Sequence, residues 1–192
     1  MPSGERERDP LDGVLIGGRE KVPIVVVHYD DQWPDRYRLV RERVLTAFGP
    51  SALQVEHIGS TSVPGLAAKP IIDVLVTVRD VEDEAAFVPP LEREGFVLRV
   101  REPGHRMFRT PARDVHVHLY EPDSEAVGAY LDLRDWLRVD AGDRALYEQT
   151  KRRLARLTWT DTNEYADAKT DVVQAILGRA RTWRASQEPT AT

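Results

Sequence analysis

The sequence predicts an α+β fold, a mixed β-sheet flanked by helices and followed by a helical C-terminal part. Short apolar or alternating runs mix with helical patterns up to about residue 123, and the pattern from there to residue 187 is helical. The 192 residues, 41% of them hydrophobic, suffice for one domain with a buried core. We divide the chain into a flexible tail (1–20), an α+β core (21–123), a helical part packed on that core (124–187) and a second tail (188–192).

The first elements follow from apolar runs and helix-boundary residues. Residues 22–27 are apolar and branched, which predicts a first strand. Asp31 is a candidate N-cap for the helix that follows, Pro34 fits its first turn and Gly49 fits its end. The apolar side chains of this helix recur at helical spacing and form one buried stripe, at Tyr37, Val40, Val44, Leu45 and Phe48.

The middle of the chain predicts five more strands and a short helix. Residues 52–58 and 70–78 are predicted strands joined by a polar loop, and Asp80 is the predicted cap of an acidic helix that ends at Gly95. Three further strands are expected at 96–101, 107–110 and 115–120. The last one alternates cleanly, with apolar side chains on one face and His116, His118 and Tyr120 on the other.

The C-terminal part predicts helices at 124–138, 142–158 and 163–184, separated at Gly142 and at the segment "TWTDTNE". The last helix has two candidate caps, Thr162 with Tyr165 or Asp161 with Glu164.

Composition excludes several classes of function. The net charge of -5 argues against general binding to nucleic acid or to membrane surfaces, although it is compatible with a local basic pocket. The chain has no cysteine, which excludes disulfides and thiolate metal sites. No apolar run approaches the roughly 18 residues of a membrane span, so we expect a soluble, cytoplasmic protein without a membrane partner.

The loop in "HIGSTSVPGLAAKPIIDVLV" (57–76) carries the first candidate binding residues. Gly59 permits a tight turn and close approach of a ligand, and the next three side chains, Ser60, Thr61 and Ser62, are hydroxyls. Such a turn can hold a phosphate, with Lys69 as a point charge beside it. The alternative is a turn that hydrogen-bonds to itself, as serine and threonine usually do in loops.

Asp73 is the second signal, because it interrupts an apolar strand on the face of Ile71 and Leu75. A buried carboxylate needs a partner, and Lys69, an arginine or a metal ion are candidates. His116 and His118 on a neighbouring strand could complete a three-ligand site with open positions. Two alternatives stay open, that the histidines are neutral donors to a substrate or that they belong to a solvated strand face.

Further basic groups are candidates for phosphate contacts. "YEQTK" (147–151) and "YADAK" (165–169) each place a tyrosine and a lysine on one helix face. Lys151, Tyr165 and Lys169 could therefore bind a phosphate, or the lysine stems could merely cover apolar surface. Residues 99–110 hold several arginines that could form a cationic rim, and Arg134 with Asp135 could form a local ion pair.

The segments "VEHIGSTSVPGLAAKPIIDVLV", "VHVHLY", "YADAK" and "VVVHYDDQWPDRY" resemble the GrpB-like (UPF0157-type) family of bacterial proteins over about residues 22–180. The resemblance implies a nucleotidyltransferase-like fold and a divergent branch of that superfamily. Members of the superfamily carry a Gly-Ser turn, a strand with two alternating carboxylates and a third carboxylate on a later strand. Gly59 and Ser60 match the turn and Asp73 the first carboxylate, whereas Leu75 stands at the second, with Glu56 and Glu121 as candidate substitutes.

The function implied is an enzyme that binds a phosphorylated nucleotide and transfers a nucleotidyl or phosphoryl group to a small acceptor. A nucleoside triphosphate is the expected substrate, and magnesium or manganese is the expected divalent metal. The predicted catalytic residues are Asp73, His116 and His118, with Asp73 and His118 as metal ligands. The predicted phosphate- or nucleotide-binding residues are Gly59, Ser60, Thr61, Ser62, Lys69, Lys151, Tyr165 and Lys169. The alternative is a non-catalytic helper that binds a nucleotide or coenzyme, as in the family version fused to dephospho-CoA kinase.

Overall fold

The computed structural model, which describes residue 11 and residues 13–187, contains a five-stranded mixed sheet of order β1-β2-β5-β4-β3. The strands are β1 (Gln54–Ile58), β2 (Ile72–Thr77), β3 (Val97–Glu102), β4 (His105–Arg109) and β5 (Val115–Tyr120). Strands β2 and β5 are parallel, and every other neighbouring pair is antiparallel. The helices are α1 (Trp33–Phe48), α2 (Glu84–Arg93), α3 (Glu125–Val139), α4 (Ala141–Leu154), α5 (Thr162–Asp167) and α6 (Thr170–Gln187). The predicted α+β class is confirmed.

One face of the sheet carries the main core. Helices α1 and α2 cover it, and the apolar stripe of α1 packs against the even-numbered residues of β2, as its spacing predicts. The buried residues of this contact include Val40, Val44, Phe48, Ile72, Val74, Val76, Phe87 and Leu91.

The opposite face is covered only in part. Helix α3 packs over Leu75 at one end, where Val127 and Tyr120 complete a small apolar cluster. Helices α3, α4 and α6 form a second cluster on the loop after β1, with Val63, Leu66, Leu137, Tyr147 and Ile176 buried in it. Asp73 lies on the same face of the sheet as Leu75, and its side chain is still 26% exposed. The uncovered part of this face therefore contains the predicted site.

Two predicted features at the N-terminal side are wrong. Residues 22–27 form no strand, and only Val27 makes an isolated bridge, to Ala68. Pro23 lacks the N–H that a ladder needs, and its neighbours Val22, Ile24 and Val25 line a cavity. Asp31 does not cap α1, because Gln32 occupies the N-cap position.

The boundaries of two further helices differ from prediction. Asp80 accepts a hydrogen bond from the Glu82 N–H, and α2 begins only at Glu84. The predicted helix 142–158 ends at Leu154, whose carbonyl accepts the indole N–H of Trp159.

The predicted helix 163–184 is two helices. The N–H of Lys169 bonds to the carbonyl of Ala166, three residues back, and this tighter turn ends α5 before α6 begins. Asp161 caps α5 by accepting the N–H groups of Asn163 and Glu164, as one of the two predicted caps requires.

The predicted tails lie mostly outside the described residues, which omit 1–10, 12 and 188–192. In the described part of the N-terminal segment, Leu15 bridges to Val100 and the Ile16 N–H donates to the Arg99 carbonyl, so this segment lies along β3. The domain boundaries at 20, 123 and 187 stay predictions. Among the described helices, none has the length and apolar character that crossing a bilayer requires.

Candidate functional site

The site is built on the two parallel strands at the centre of the sheet. Asp73 pairs in register with His116 and Leu75 with His118, so the carboxylate and both imidazoles point to one face. Asp73 Oδ1 lies 3.3 Å from His116 Nδ1 and 3.8 Å from His118 Nε2. One donor atom from each residue lies within 4.8 Å of the others, the single such group of metal-ligating side chains within the described residues.

The backbone of Gly59 packs directly against the side chain of Asp73. Its φ of +68° lies in the left-handed region, and a Cβ at this position would stand 2.4 Å from Asp73 Oδ2. Any side chain here would therefore collide with the carboxylate as well as strain the backbone, so glycine is what lets the turn approach Asp73.

Asp73 is ionised despite its surroundings. Burial acts to raise its pKa, but His116 and His118 beside it hold the pKa of the carboxyl well below its usual range. A carboxylate between two imidazoles can share a proton with either ring, or it can bind a metal ion together with them.

His105 extends the site in a way that the sequence did not reveal. Its Nδ1 lies 2.6 Å from Glu102 Oε1, and its Nε2 lies 3.2 Å from His118 Nδ1. Burial lowers the pKa of His105, which favours the neutral ring. A neutral His105 that donates from Nδ1 to Glu102 has its acceptor at Nε2, so it can receive the Nδ1–H of His118 and orient that ring beside Asp73.

A cavity of about 350 Å³ lies next to Asp73, and we call it the lysine cavity because Lys69, Lys151 and Lys169 line it. Lys151 is almost fully buried and donates to Ser60 Oγ at 2.9 Å and to the Ala67 carbonyl. The ammonium groups of Lys69 and Lys169 both lie over the Tyr165 ring, 5.4 and 4.6 Å from its centroid, and the described residues offer them no hydrogen-bond acceptor.

Burial makes these lysines weak bases. It lowers the pKa of Lys151 to about 7 and, with repulsion from Lys69, the pKa of Lys169 to about 8. The pKa of Lys69 is lowered for the same reason, although Asp73 acts to raise it. Three ammonium groups around one carboxylate form a site whose electrostatics favour an anion.

The hydroxyl loop combines both alternatives that its sequence left open. Ser62 donates to the Gly59 carbonyl at 2.6 Å, and Thr61 donates to the Ile71 carbonyl at 3.0 Å, so these two hydroxyls hold the turn. His57 Nε2 lies 3.1 Å from Thr61 Oγ1 and forms a second hydrogen bond with this hydroxyl. Ser60 alone turns its hydroxyl to a cavity cation, Lys151.

The lysine cavity brings together nearly all the predicted site residues. Its lining includes Gly59, Ser60, Thr61, Lys69, Asp73, His116, His118, Lys151, Tyr165 and Lys169. Ser62 does not line it, since its side chain is buried in the turn. Tyr147, the tyrosine of the predicted Tyr–Lys pair at 147–151, also lines it, as does Tyr130, for which the sequence gave no signal.

The candidate substitutes for a second carboxylate do not reach Asp73. Glu56 is bonded to Arg134 at 2.8 Å, and Arg134 also binds its predicted partner Asp135 at 2.8 Å. Glu121 is exposed beyond the end of β5. Leu75, at the position of the second carboxylate, is fully buried under α3.

The arginine-rich stretch 99–110 does not form one cationic rim. Arg101 and Arg106 pair with Glu84 on α2, whereas Arg99 and Arg109 line a second cavity on the side of His116. Alternation along β4 separates Arg106 from Arg109, and a register shift between Leu98 and Val100 in β3 separates Arg99 from Arg101.

A mixed sheet with a Gly-Ser turn leading to a strand aspartate defines a nucleotidyltransferase-like fold. The chain is similar to the Cid1 poly(U) polymerase H336N mutant bound to MgATP, with a TM-score of 0.50 and 15% identity, covering 69% of this chain and 46% of that one. It is also similar to the crystal structure of conserved protein GrpB from Enterococcus faecalis, with a TM-score of 0.74 and 30% identity, over 83% of this chain and 99% of that one.

The family model described as "GrpB protein" matches residues 23–179. The chain is 53% identical to the UPF0157 protein SCO7215 of Streptomyces coelicolor, over 93% of this chain and 95% of that protein. It is also 28% identical to a dephospho-CoA kinase of Mycolicibacterium paratuberculosis, over 85% of this chain and 47% of the kinase. The chain belongs to the GrpB family.

Proposed function

We propose that the protein is a transferase that binds a nucleoside triphosphate in the lysine cavity and transfers a nucleotidyl or phosphoryl group to a small acceptor. The observation that carries this proposal is the Asp73–His116–His118 group, which opens onto a cavity lined by three ammonium groups. A reacting phosphate needs positive charge beside it and a group that can accept a proton, and both lie within this one cavity.

The phosphates fit the lysine cavity. Ser60 and Lys151 bind one phosphate at the Gly-Ser turn, and Lys69 with Lys169 binds the next. Binding a phosphate relieves the repulsion between the ammonium groups and restores their protonation, so the charge that burial disfavours becomes favourable in the complex.

Asp73 and His118 are the proposed ligands of a divalent metal. Two ligands about 2.1 Å from a tetrahedral ion lie about 3.4 Å apart, which is close to the 3.8 Å between Asp73 Oδ1 and His118 Nε2. One carboxylate and one imidazole suit a single first-row transition metal ion, and a magnesium pair would need more carboxylates than this site contains. The bound metal would supply positive charge at the reacting phosphate.

His116 is the proposed acid–base group. A proton on Nδ1, which lies 3.3 Å from Asp73 Oδ1, would leave Nε2 as the basic nitrogen, the arrangement that orients a general base. The acceptor oxygen or nitrogen forms a bond to phosphorus, its proton passes to His116 Nε2, and the bond to the leaving phosphate oxygen breaks with its electron pair on that oxygen.

Calorimetric titration with ATP and CTP, with and without manganese or zinc, tests the binding step. We expect a metal-dependent gain in nucleotide affinity that Asp73→Asn removes, and the exposed residue Asp123 supplies the matched control, Asp123→Asn. Equal affinity of the wild type and Asp73→Asn in both metals, with intact far-UV circular dichroism, would contradict the metal–nucleotide site. Mass spectrometry of incubations with cell metabolites then looks for the transferred group.

A second candidate function is a non-catalytic module that binds a nucleotide or coenzyme. It is favoured by Leu75 at the second carboxylate position and by the similarity to half of a dephospho-CoA kinase. Nucleotide or dephospho-CoA binding that is indifferent to metal, together with no product under any condition, would select this function over the transferase.

A further inference from the structure

A second cavity, of about 490 Å³, adjoins the first, and we call it the arginine cavity because Arg99, Arg109 and Arg113 line it. It is bounded by residues 22–25, by β3 and β4, and by the chain before β2. The two cavities share Lys69, Ile71, His116, Thr162 and Asn163. His116 therefore borders both, so a molecule in the arginine cavity can reach the proposed acid–base group.

About half of the residues that line the arginine cavity are apolar. They are Leu15, Val22, Pro23, Ile24, Val25, Pro70, Ile71, Val100, Met107 and Ala112. An acceptor with an apolar body would gain by burying its apolar surface here, whereas a sugar or a bare phosphate would lose hydration.

The charges of the arginine cavity are unbalanced toward positive. Both acidic residues of the cavity already have arginine partners. Glu20 accepts hydrogen bonds from both terminal nitrogens of Arg109, at 2.7 and 2.8 Å, and Asp114 accepts one from Arg36, which does not line the cavity. Arg99 donates only to main-chain carbonyls. Among the described residues, neither Arg99 nor Lys69 has a carboxylate within ion-pair distance.

Arg113 stands at the mouth of this cavity in a strained conformation. Its φ of +61° makes it the one non-glycine residue in the left-handed region among the described residues. Its side chain is 48% exposed, and its Nη2 lies 3.3 Å from Oε1 of Glu20, which Arg109 already binds bidentately. A glycine would fit this turn without strain, so the chain keeps an arginine here at a cost in backbone strain, and its one ion pair within the described residues is this shared contact with Glu20.

We propose that the arginine cavity binds the acceptor, a small molecule with an apolar body and a carboxylate that Arg113 and Arg99 recognise, while Lys69, which borders both cavities, binds the phosphate in the lysine cavity. Its nucleophilic hydroxyl or amine then faces His116 at the border of the two cavities. The role of the bound molecule as the acceptor rests on the proposed transferase function. The binding site itself can be tested without turnover.

The probe is hexanoate, with hexan-1-ol as its neutral counterpart, titrated into the full-length protein and followed by amide chemical shifts. We expect hexanoate to bind at least fivefold more tightly than hexan-1-ol and to shift amides of the arginine cavity. Arg113→Gly should weaken hexanoate at least fivefold without lowering thermal stability, because glycine relieves the strained φ. Arg181→Gln, an exposed arginine of α6, is the control and should leave binding unchanged.

Two outcomes would overturn the inference, namely hexanoate binding no better than hexan-1-ol, or shifts confined to surfaces away from the arginine cavity. Hexanoate binding that persists in Asp73→Asn supports an acceptor site that exists independently of the metal. If the wild type and Asp73→Asn bind nucleotide equally well with and without metal, while hexanoate still binds at this cavity, the proposed transfer fails and the carboxylate site stands.

Discussion

The sharpest test of the lysine cavity is the replacement of Lys151 by methionine. The lysine is 3% exposed, and burial lowers its pKa from 10.5 to about 7. A pKa difference of about 3.5 corresponds to about 5 kcal/mol by which the folded protein disfavours the charged form. Methionine fills a similar volume and carries no charge, so Lys151→Met should stabilise the protein at pH 7.

The pH dependence has a defined sign. Between pH 7 and pH 10.5 the unfolded chain keeps the proton of Lys151 and the folded protein does not. The stability of the wild type therefore rises with pH, at about 1.4 kcal/mol per pH unit from this group. The methionine variant lacks this contribution, so its advantage over the wild type should shrink by about 2–3 kcal/mol between pH 7 and pH 9.

Urea unfolding followed by tryptophan fluorescence measures this difference at pH 7, 8 and 9. Groups that titrate in both proteins cancel in the comparison, and the loss of the contacts to Ser60 and Ala67 is common to every pH. Lys21→Met is the matched control, because Lys21 is exposed and methionine relieves no burial of charge there. A stability advantage of the Lys151→Met variant that is equal at pH 7 and pH 9 would refute the reasoning.

Three further predictions concern binding. ATP affinity should fall severalfold from pH 7 to pH 9 in calorimetry, because the complex needs Lys151 and Lys169 protonated; an affinity independent of pH would contradict this. Gly59→Ala should destabilise the fold by about 2 kcal/mol or more and lower the affinity for metal, because the new Cβ collides with the Asp73 carboxylate. A melting temperature equal to that of the wild type would exclude this collision. His105→Phe keeps the ring stack on Tyr120 but removes the hydrogen bond to His118, so the affinity for cobalt, followed by its absorption, should fall 10- to 100-fold. Unchanged cobalt affinity would exclude a role of this hydrogen bond in orienting His118.

The fold could be predicted where the local pattern is unambiguous. Strand β5 was predicted to the residue because its apolar and polar side chains alternate without exception. The strand predicted at 22–27 was wrong, because the same apolar pattern is compatible with a sheet strand and with an extended segment that lines a cavity. The break between α5 and α6 has no proline or glycine, and only the hydrogen bond of Lys169 to Ala166 marks it.

The site could be predicted in part, for a physical reason. Asp73 is identifiable because a carboxylate in an apolar strand requires a partner, and the register of parallel strands supplies His116. His105 was not found as a site residue, because its contact with His118 depends on the pairing of β4 with β5. Lys151 reaches Ser60 across 91 residues of chain, a contact that only the packing of α4 determines.

The combination of Leu75 with one buried and two partly buried lysines has one chemical explanation under the proposed function. A second metal ion would need a carboxylate where Leu75 is packed under α3, and an aspartate there would be buried without a partner. The positive charge that a second metal would bring to a triphosphate can come instead from Lys69, Lys151 and Lys169. Such a site binds an anion most strongly when its lysines are protonated. Because burial disfavours their protonation in the free protein, binding of an anion should be accompanied by uptake of protons by these lysines.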